Sequence, residues 1–185
     1  MKRNKFILGL LSLSPVAAMA NFRSFFLREK KGFKVPAGES RNGEHLKMKG
    51  VTLNTLDLKV SGKDTDGDIA IFEQLGTTPK GGPPLHIHPF QDEMFYVIDG
   101  EYRFQVGDDS YELKSGDTIF LPRGIKHAFI QLTEKGKLII TYQPAGKIED
   151  FFKTTSLWTS PPSQDEISKV FEDHDMKIVG PPLKV

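Results

Sequence analysis

Residues 81–100 read GGPPLHIHPFQDEMFYVIDG. The placement of His86, His88 and Glu93 in this stretch decides the fold. Side chains of a β-strand alternate between faces, so His86 and His88 project together while Leu85 and Ile87 face the other way. Pro89 has no N–H to give to a sheet ladder, which favours a strand end there. A second strand from Glu93 to Ile98 returns alongside the first. If Glu93 points inward, Phe95 and Val97 point inward with it, and Met94, Tyr96 and Ile98 form the opposite face. Two imidazoles and a carboxylate then share an apolar interior. An ionised carboxylate is costly there without a partner, whereas a divalent metal ion takes neutral imidazole and ionised carboxylate together. Histidine pairs on one strand also occur as surface groups or hydrogen-bonded core residues, and this segment alone leaves those alternatives open.

The flanking sequence reads as short strands joined by turns. On the C-terminal side, Glu101–Val106 alternates cleanly, with Tyr102, Phe104 and Val106 on one face, as in a half-buried antiparallel strand. Further strands are expected at Tyr111–Leu113, Thr118–Leu121, His127–Leu132 and Lys137–Tyr142, separated by turn residues at Asp99-Gly100, Gly107-Asp108-Asp109 and Ser115-Gly116. Upstream, Leu53–Val60 and Asp68–Gln74 flank SGKDTDGD, where Asp66-Gly67 is a hairpin turn signal. Those aspartates lack the glycine and terminal glutamate of a calcium loop, since Ile69 and Leu75 occupy the decisive positions. Many short strands with regular turn signals predict an all-β sandwich or barrel. After them, Ile148–Leu157 reads as a short helix. Ser163 to Glu166 forms a capping box ahead of Ile167, Val170 and Phe171, an apolar stripe suited to packing on the barrel exterior or on a second subunit. By this pattern His174 is exposed and no ligand.

The chain of 185 residues is long enough for one domain with a real core. The absence of cysteine excludes disulfides, thiolate metal sites and a cysteine nucleophile. At the N-terminus, Lys2, Arg3 and Lys5 precede an apolar run from Phe6 to Ala20 that ends in Ala18-Met19-Ala20. This is the layout of a secretory signal peptide over residues 1–20, too short for a stable membrane span and interrupted at Asn21 and Arg23. Cleavage would give an exported protein, periplasmic or secreted. Loss of the three basic residues takes the formal net charge from +1 to −2, which gives no electrostatic footprint for nucleic acid. From Phe22 to about Gly43 the chain reads as an extended arm.

Residues 116–131 read GDTIFLPRGIKHAFIQ. Gly116, Pro122, Gly124 and His127 are spaced as in the second motif of the cupin superfamily, and His86, His88, Glu93 and Gly100 are spaced as in the first. The chain therefore resembles a single-domain cupin. Within that superfamily it is similar to bacterial proteins of the quercetin dioxygenase type. The resemblance implies a jelly-roll β-barrel over 45–145, preceded by the signal peptide and an arm over 21–44, and followed by a helical extension over 146–185. It implies that His86, His88, Glu93 and His127 hold one divalent transition metal ion per chain (iron, manganese, nickel, cobalt, copper or zinc), with one or two positions left open. Gly116 would serve a tight turn and Gly124 a close approach before His127. Gly81 and Gly82 stand near the leading glycine of the first motif, and Gln131 replaces the asparagine that often closes the second.

Under this resemblance the activity expected is dioxygenase-like oxidation of a small enolic or aromatic compound. Glu93 would be both ligand and base, and Phe90, Phe95, Tyr102, Phe104, Phe129 and Gln131 would line the substrate pocket. Arg123 and Lys126 read as exposed loop charges. A metal-dependent sugar or keto-acid isomerase and a non-catalytic small-ligand or metal-binding protein are the alternatives, because one fold hosts many functions. The outward row of Met94, Tyr96 and Ile98 suggests a homodimer, unless the C-terminal helix covers it.

Overall fold

The computed structural model describes residues 29–49 and 53–185. The expected signal peptide, and the first part of the arm, lie outside the described residues. The elements are β1 (His45–Lys47), β2 (Asn54–Val60), β3 (Ala70–Gly76), β4 (Pro84–Ile87), β5 (Asp92–Asp99), β6 (Glu101–Val106), β7 (Asp109–Lys114), β8 (Thr118–Leu121), β9 (His127–Gln131) and β10 (Gly136–Gln143). They are followed by α1 (Ile148–Ser156), α2 (Gln164–Asp173) and β11 (Lys177–Pro182).

Two antiparallel sheets face each other, one in the order β1-β2-β3-β10-β5-β8 and the other in the order β11-β4-β9-β6-β7. This is an all-β jelly-roll. The two-residue period sets its inside and outside. On β5, Glu93, Phe95 and Val97 are buried while Met94, Tyr96 and Ile98 stay exposed. On β6, Tyr102 and Phe104 are fully buried. Their rings join Phe95 and Phe129 in an aromatic core, with centroids 5.0 Å apart for Phe95–Phe104 and 5.3 Å for Phe104–Phe129.

Glycine is required where backbones nearly touch. A Cβ on Gly82 would lie 1.8 Å from the Phe129 carbonyl oxygen, so only glycine lets this segment run against β9. Gly124 differs from its expected role. It stands in open space, and its need for glycine comes from its φ of +77°. At Asp66-Gly67 both residues take positive φ, 56° and 83°, as a tight turn between β2 and β3 demands.

The C-terminal extension corrects the sequence reading most. It is not purely helical. β11 turns back to the barrel and pairs antiparallel with β4, placing Ile178 opposite His86. Pro181 and Pro182 argue against a strand in the sequence, but β11 is an edge strand and need not donate on its open side. Gly180 fits because a Cβ there would press to 3.1 Å from Leu85 Cδ2. The α2 capping box forms as expected: Ser163 Oγ accepts from Glu166 N at 3.2 Å, and Ser163 N donates back to Glu166 Oε2 at 2.7 Å. Ile167 and Phe171 are buried, and the Phe171 ring meets Phe151 of α1 edge-on at 5.0 Å. Burial of one such ring contributes about 1.5–3 kcal/mol.

The helices thus close one end of the barrel interior. They do not cover Met94, Tyr96 and Ile98, which remain exposed beside Phe120, the cross-strand neighbour of Met94. His174 is half-buried rather than exposed: its Nδ1 donates to Val170 O at 2.7 Å, and its ring packs edge-on against Phe151. Among the described residues no helix is long and apolar enough to cross a membrane.

Candidate metal centre

Three strands deliver the four expected donors to one point. His86 lies on β4 and faces His127 at the start of β9. His88 follows β4 directly, and Glu93 is the second residue of β5. All four are buried, and their donor atoms lie within 4.8 Å of one another.

Hydrogen bonds fix the tautomers. His86 Nδ1 meets Pro84 O at 2.8 Å and His127 Nδ1 meets Ile125 O at 3.0 Å. A carbonyl can only accept, so both Nδ1 atoms carry protons. His88 Nδ1 meets Gln91 Oε1 at 2.8 Å. The Gln91 amide is itself oriented by Nε2–H bonds to Pro144 O and Ala145 O at 2.8 and 2.7 Å, so His88 Nδ1 must donate too. In the neutral rings every Nε2 is then a bare lone pair.

These lone pairs converge. His86 Nε2 is 3.1 Å from His88 Nε2, and Glu93 Oε1 is 2.8 Å from His88 Nε2 and 3.3 Å from His127 Nε2. Despite these distances, neither Glu93 Oε1 nor His127 Nε2 makes an aligned hydrogen bond. Two orphaned buried polar atoms beside repelling lone pairs are costly unless a cation sits among them. With bonds of about 2.0–2.2 Å, donors at right angles around one ion lie about 3 Å apart and opposite ones about 4.2 Å. The cluster therefore fits a metal site in spacing, in donor chemistry and in its unmet hydrogen bonds.

The electrostatics agree with a charge-poor, desolvated centre. Burial, with repulsion from His88 and His127, lowers the His86 pKa to about 3. Burial alone would lower His88, but the neighbouring Glu93 carboxylate outweighs it and raises the value. Burial also opposes ionisation of Glu93, yet the two histidines hold its pKa well below the carboxylate range. Tyr142 on β10 pairs directly with Glu93 on β5, and burial together with that carboxylate keeps its phenol protonated.

A cavity of about 90 Å³ adjoins the donors. Of the residues expected to line it, Phe95 and Phe129 do. Tyr102 and Phe104 do not: they pack behind those rings as fully buried core. Gln131 is drawn away by its bond from Nε2 to Thr133 O and lies against Gly76 and Gly136. Phe90 is 67% exposed on a turn. Arg123 is engaged by Asp92, and Lys126 by Asp108. The sequence reading missed the cavity wall supplied by α1, α2 and their flanks: Phe151, Trp158, Phe171 and Met176. Phe171 packs edge-on to His86 at 5.4 Å. It also missed Gln91, whose only sequence signal is its place three residues after His88.

Two outcomes are expected of this geometry. Gln91→Ala removes the acceptor that orients His88, which should weaken metal affinity about 10–100-fold with the fold intact. Titration against a competing chelator measures this, and unchanged affinity would contradict the orienting role. The second concerns acid. With His86 held near 3 in the folded state and near 6.5 in the unfolded chain, the unfolded state binds more protons between those values. Stability of the metal-free protein should therefore be lost as pH falls through that window. Glu93, also lowered, adds loss in the same direction below its unfolded value, and His88, raised, partly offsets it. Urea midpoints measured with chelator from pH 7 to pH 4 should fall; a flat profile would contradict the burial of a neutral His86.

Comparison with known proteins agrees with this picture. Residues 76–142 match the family model described as cupin domain. The chain is 28% identical over 93 residues to quercetin 2,3-dioxygenase of Bacillus subtilis, a stretch covering 50% of this chain and 27% of that enzyme. It is 26% identical over 54 residues to an uncharacterised protein of Streptomyces coelicolor, covering 29% of this chain and 51% of the other. The aligned stretches thus span about a quarter and half of these relatives. Among solved structures, an RmlC-like cupin from Shewanella frigidimarina superposes with TM-score 0.53 at 19% identity, covering 66% of this chain and 98% of that one. The polyketide cyclase RemF from Streptomyces resistomycificus gives TM-score 0.51 at 20% identity, with 62% and 80% covered.

Proposed function

We propose that this chain, whose residues 76–142 match the cupin domain, is a metal-dependent oxidoreductase of the cupin superfamily, dioxygenase-like, acting on a small neutral enolic compound. The observation that carries this reading is the cavity itself: it opens on the unpartnered donors of Glu93 and His127, and among the described residues lining it there is no lysine or arginine. An anionic sugar phosphate or keto acid would find no cation other than the metal, which disfavours the isomerase alternative.

Size narrows the substrate. At about 90 Å³ the cavity is far below the ~300 Å³ at which drug-sized ligand sites begin. Three-ring flavonols, the kind of compound named for the Bacillus relative, do not fit unless α1 and α2 move aside. A short enol does.

A bound divalent ion supplies Lewis acidity toward an enol or carbonyl oxygen and, for redox-active metals, chemistry with dioxygen. The protein supplies the rest. Glu93, held ionised by His88 and His127, accepts the substrate proton on its carboxylate. Tyr142, kept as a neutral phenol, donates a hydrogen bond toward an oxygen in the cavity. Phe95, Phe129 and Ile140 exclude water from the reacting group.

An oxygen-electrode screen tests the reading. Protein loaded in turn with iron, manganese, nickel, cobalt, copper and zinc is offered short 1,3-diketones, reductones and single-ring phenols. Uptake with at least one small enol and a redox-active ion is expected. No uptake with any pair would overturn the assignment in favour of an isomerase or a binding protein. For location, the N-terminal pattern supports export with the mature chain beginning at Asn21. Intact-mass measurement on protein from the native exported fraction checks this, and a species retaining Met1 would contradict it.

A further inference from the structure

Three glutamines are buried among the described residues: Gln74, Gln91 and Gln131. Gln91 is tied by three hydrogen bonds and Gln131 by one to Thr133 O. Gln74, only 5% exposed, has no hydrogen-bond partner among the described residues. Its amide atoms are not sealed among protein atoms either, and the side chain lines the same cavity as the metal donors. Its directly paired neighbours offer nothing polar, and the other polar side chain of β2 and β3 that lines the cavity, Asn54, stands opposite Gly76. Gln74 stands opposite Leu56 on β2 and Leu138 on β10, and the preceding inward positions of β3 are Ala70 and Phe72. A leucine would complete this core, so an unpaired amide here is a cost without a structural return.

The register places this amide at the far end of the cavity. Tyr142 on β10 pairs with Glu93 on β5, and Leu138, opposite Gln74, lies four residues from Tyr142 on the same strand. At about 3.3 Å per residue that is roughly 13 Å between backbone rows, shortened by the reach of both side chains. Ile140 and Phe95 form the apolar wall between. We propose that Gln74 is the specificity-determining residue of the cavity, its amide receiving a hydroxyl or carbonyl group at the end of the ligand remote from the metal-binding oxygen. The inference rests on the reading of the cavity as the seat of a metal-bound enol. It makes the substrate class a short, neutral, bifunctional enol, with an apolar middle and a second polar group.

Two probes of nearly equal size isolate the contact: 6-hydroxy-2,4-hexanedione and 2,4-heptanedione share the enol and differ in a terminal hydroxyl against a methyl, two methylenes beyond the metal-binding carbonyl. Both are titrated anaerobically into the cobalt-loaded protein, with the visible cobalt absorption reporting binding. Wild type is expected to bind the hydroxylated probe about tenfold more tightly. Gln74→Leu should level or reverse that preference, keep its cobalt, and unfold at a higher temperature than wild type because an unpaired buried amide is gone. Equal affinity of wild type for the two probes overturns the role of Gln74 while leaving the enol reading in place. A lower melting temperature for Gln74→Leu overturns it as well, since the amide is then structural. Failure of both probes to perturb the cobalt spectrum of wild type overturns this inference and the enol reading together.

Discussion

Alanine in place of His86 or His127 is expected to empty the metal centre. Wild type should retain one ion per chain after dialysis, and either variant close to none. The physical reason is that each Nε2 is a lone pair already aimed by an Nδ1–H bond to a backbone carbonyl, Pro84 O or Ile125 O. No other described residue can swing in to replace it, because the four donors are the one such group found among the described residues. Changes to residues that merely orient a ligand cost about 10–100-fold in affinity, so loss of a ligand should exceed 100-fold. The controls are internal. His45 is bound to Asp57 at 2.6 Å and His174 to Val170 O, and alanine at either should leave metal content unchanged. Elemental analysis decides. An ion retained by His86→Ala, or lost by His174→Ala, would contradict the assignment.

Glu93→Gln should separate holding the metal from moving a proton. The substitution keeps the shape and one oxygen but removes the charge and the basicity. Three imidazoles should still hold a borderline ion, more weakly. Oxygen consumption with an enolic substrate should fall about 10²–10⁴-fold, the usual contribution of a positioned general base. The effect is large because Glu93 is the only carboxylate of the donor cluster among the described residues, and His88 and His127 hold it ionised. A metal-loaded variant that matches wild type in rate would leave Glu93 as a ligand only and remove the base from the mechanism.

The sequence carries the barrel and its donor set legibly because both rest on local rules. The alternation in Glu93–Ile98 and Glu101–Val106 fixes which side chains face inward, and the two-residue spacing of His86 and His88 fixes their common direction. The remainder depends on contacts distant in the chain. Tyr102 and Phe104 share the inward face with the cavity residues, but only the packing of Phe95 and Phe129 in front of them shows that they are core. Gln131 was aimed at the cavity by period alone, and its bond to Thr133 O turns it aside. β11 was hidden by Pro181 and Pro182, which are tolerable at an edge and forbidding elsewhere. Phe151, Trp158, Phe171 and Gln74 enter the site through the closure of the C-terminal extension and the neighbouring strand, which no residue spacing encodes.

The central claim is that one divalent ion lies among His86, His88, Glu93 and His127. It is tested most directly by crystals of the metal-loaded protein measured at the absorption edge of that metal. The result expected is a single anomalous peak per chain, about 2.0–2.2 Å from the three Nε2 atoms and from a Glu93 carboxylate oxygen. A peak elsewhere, coordination through any Nδ1 atom, or an occupied crystal without a peak at this cluster would contradict it.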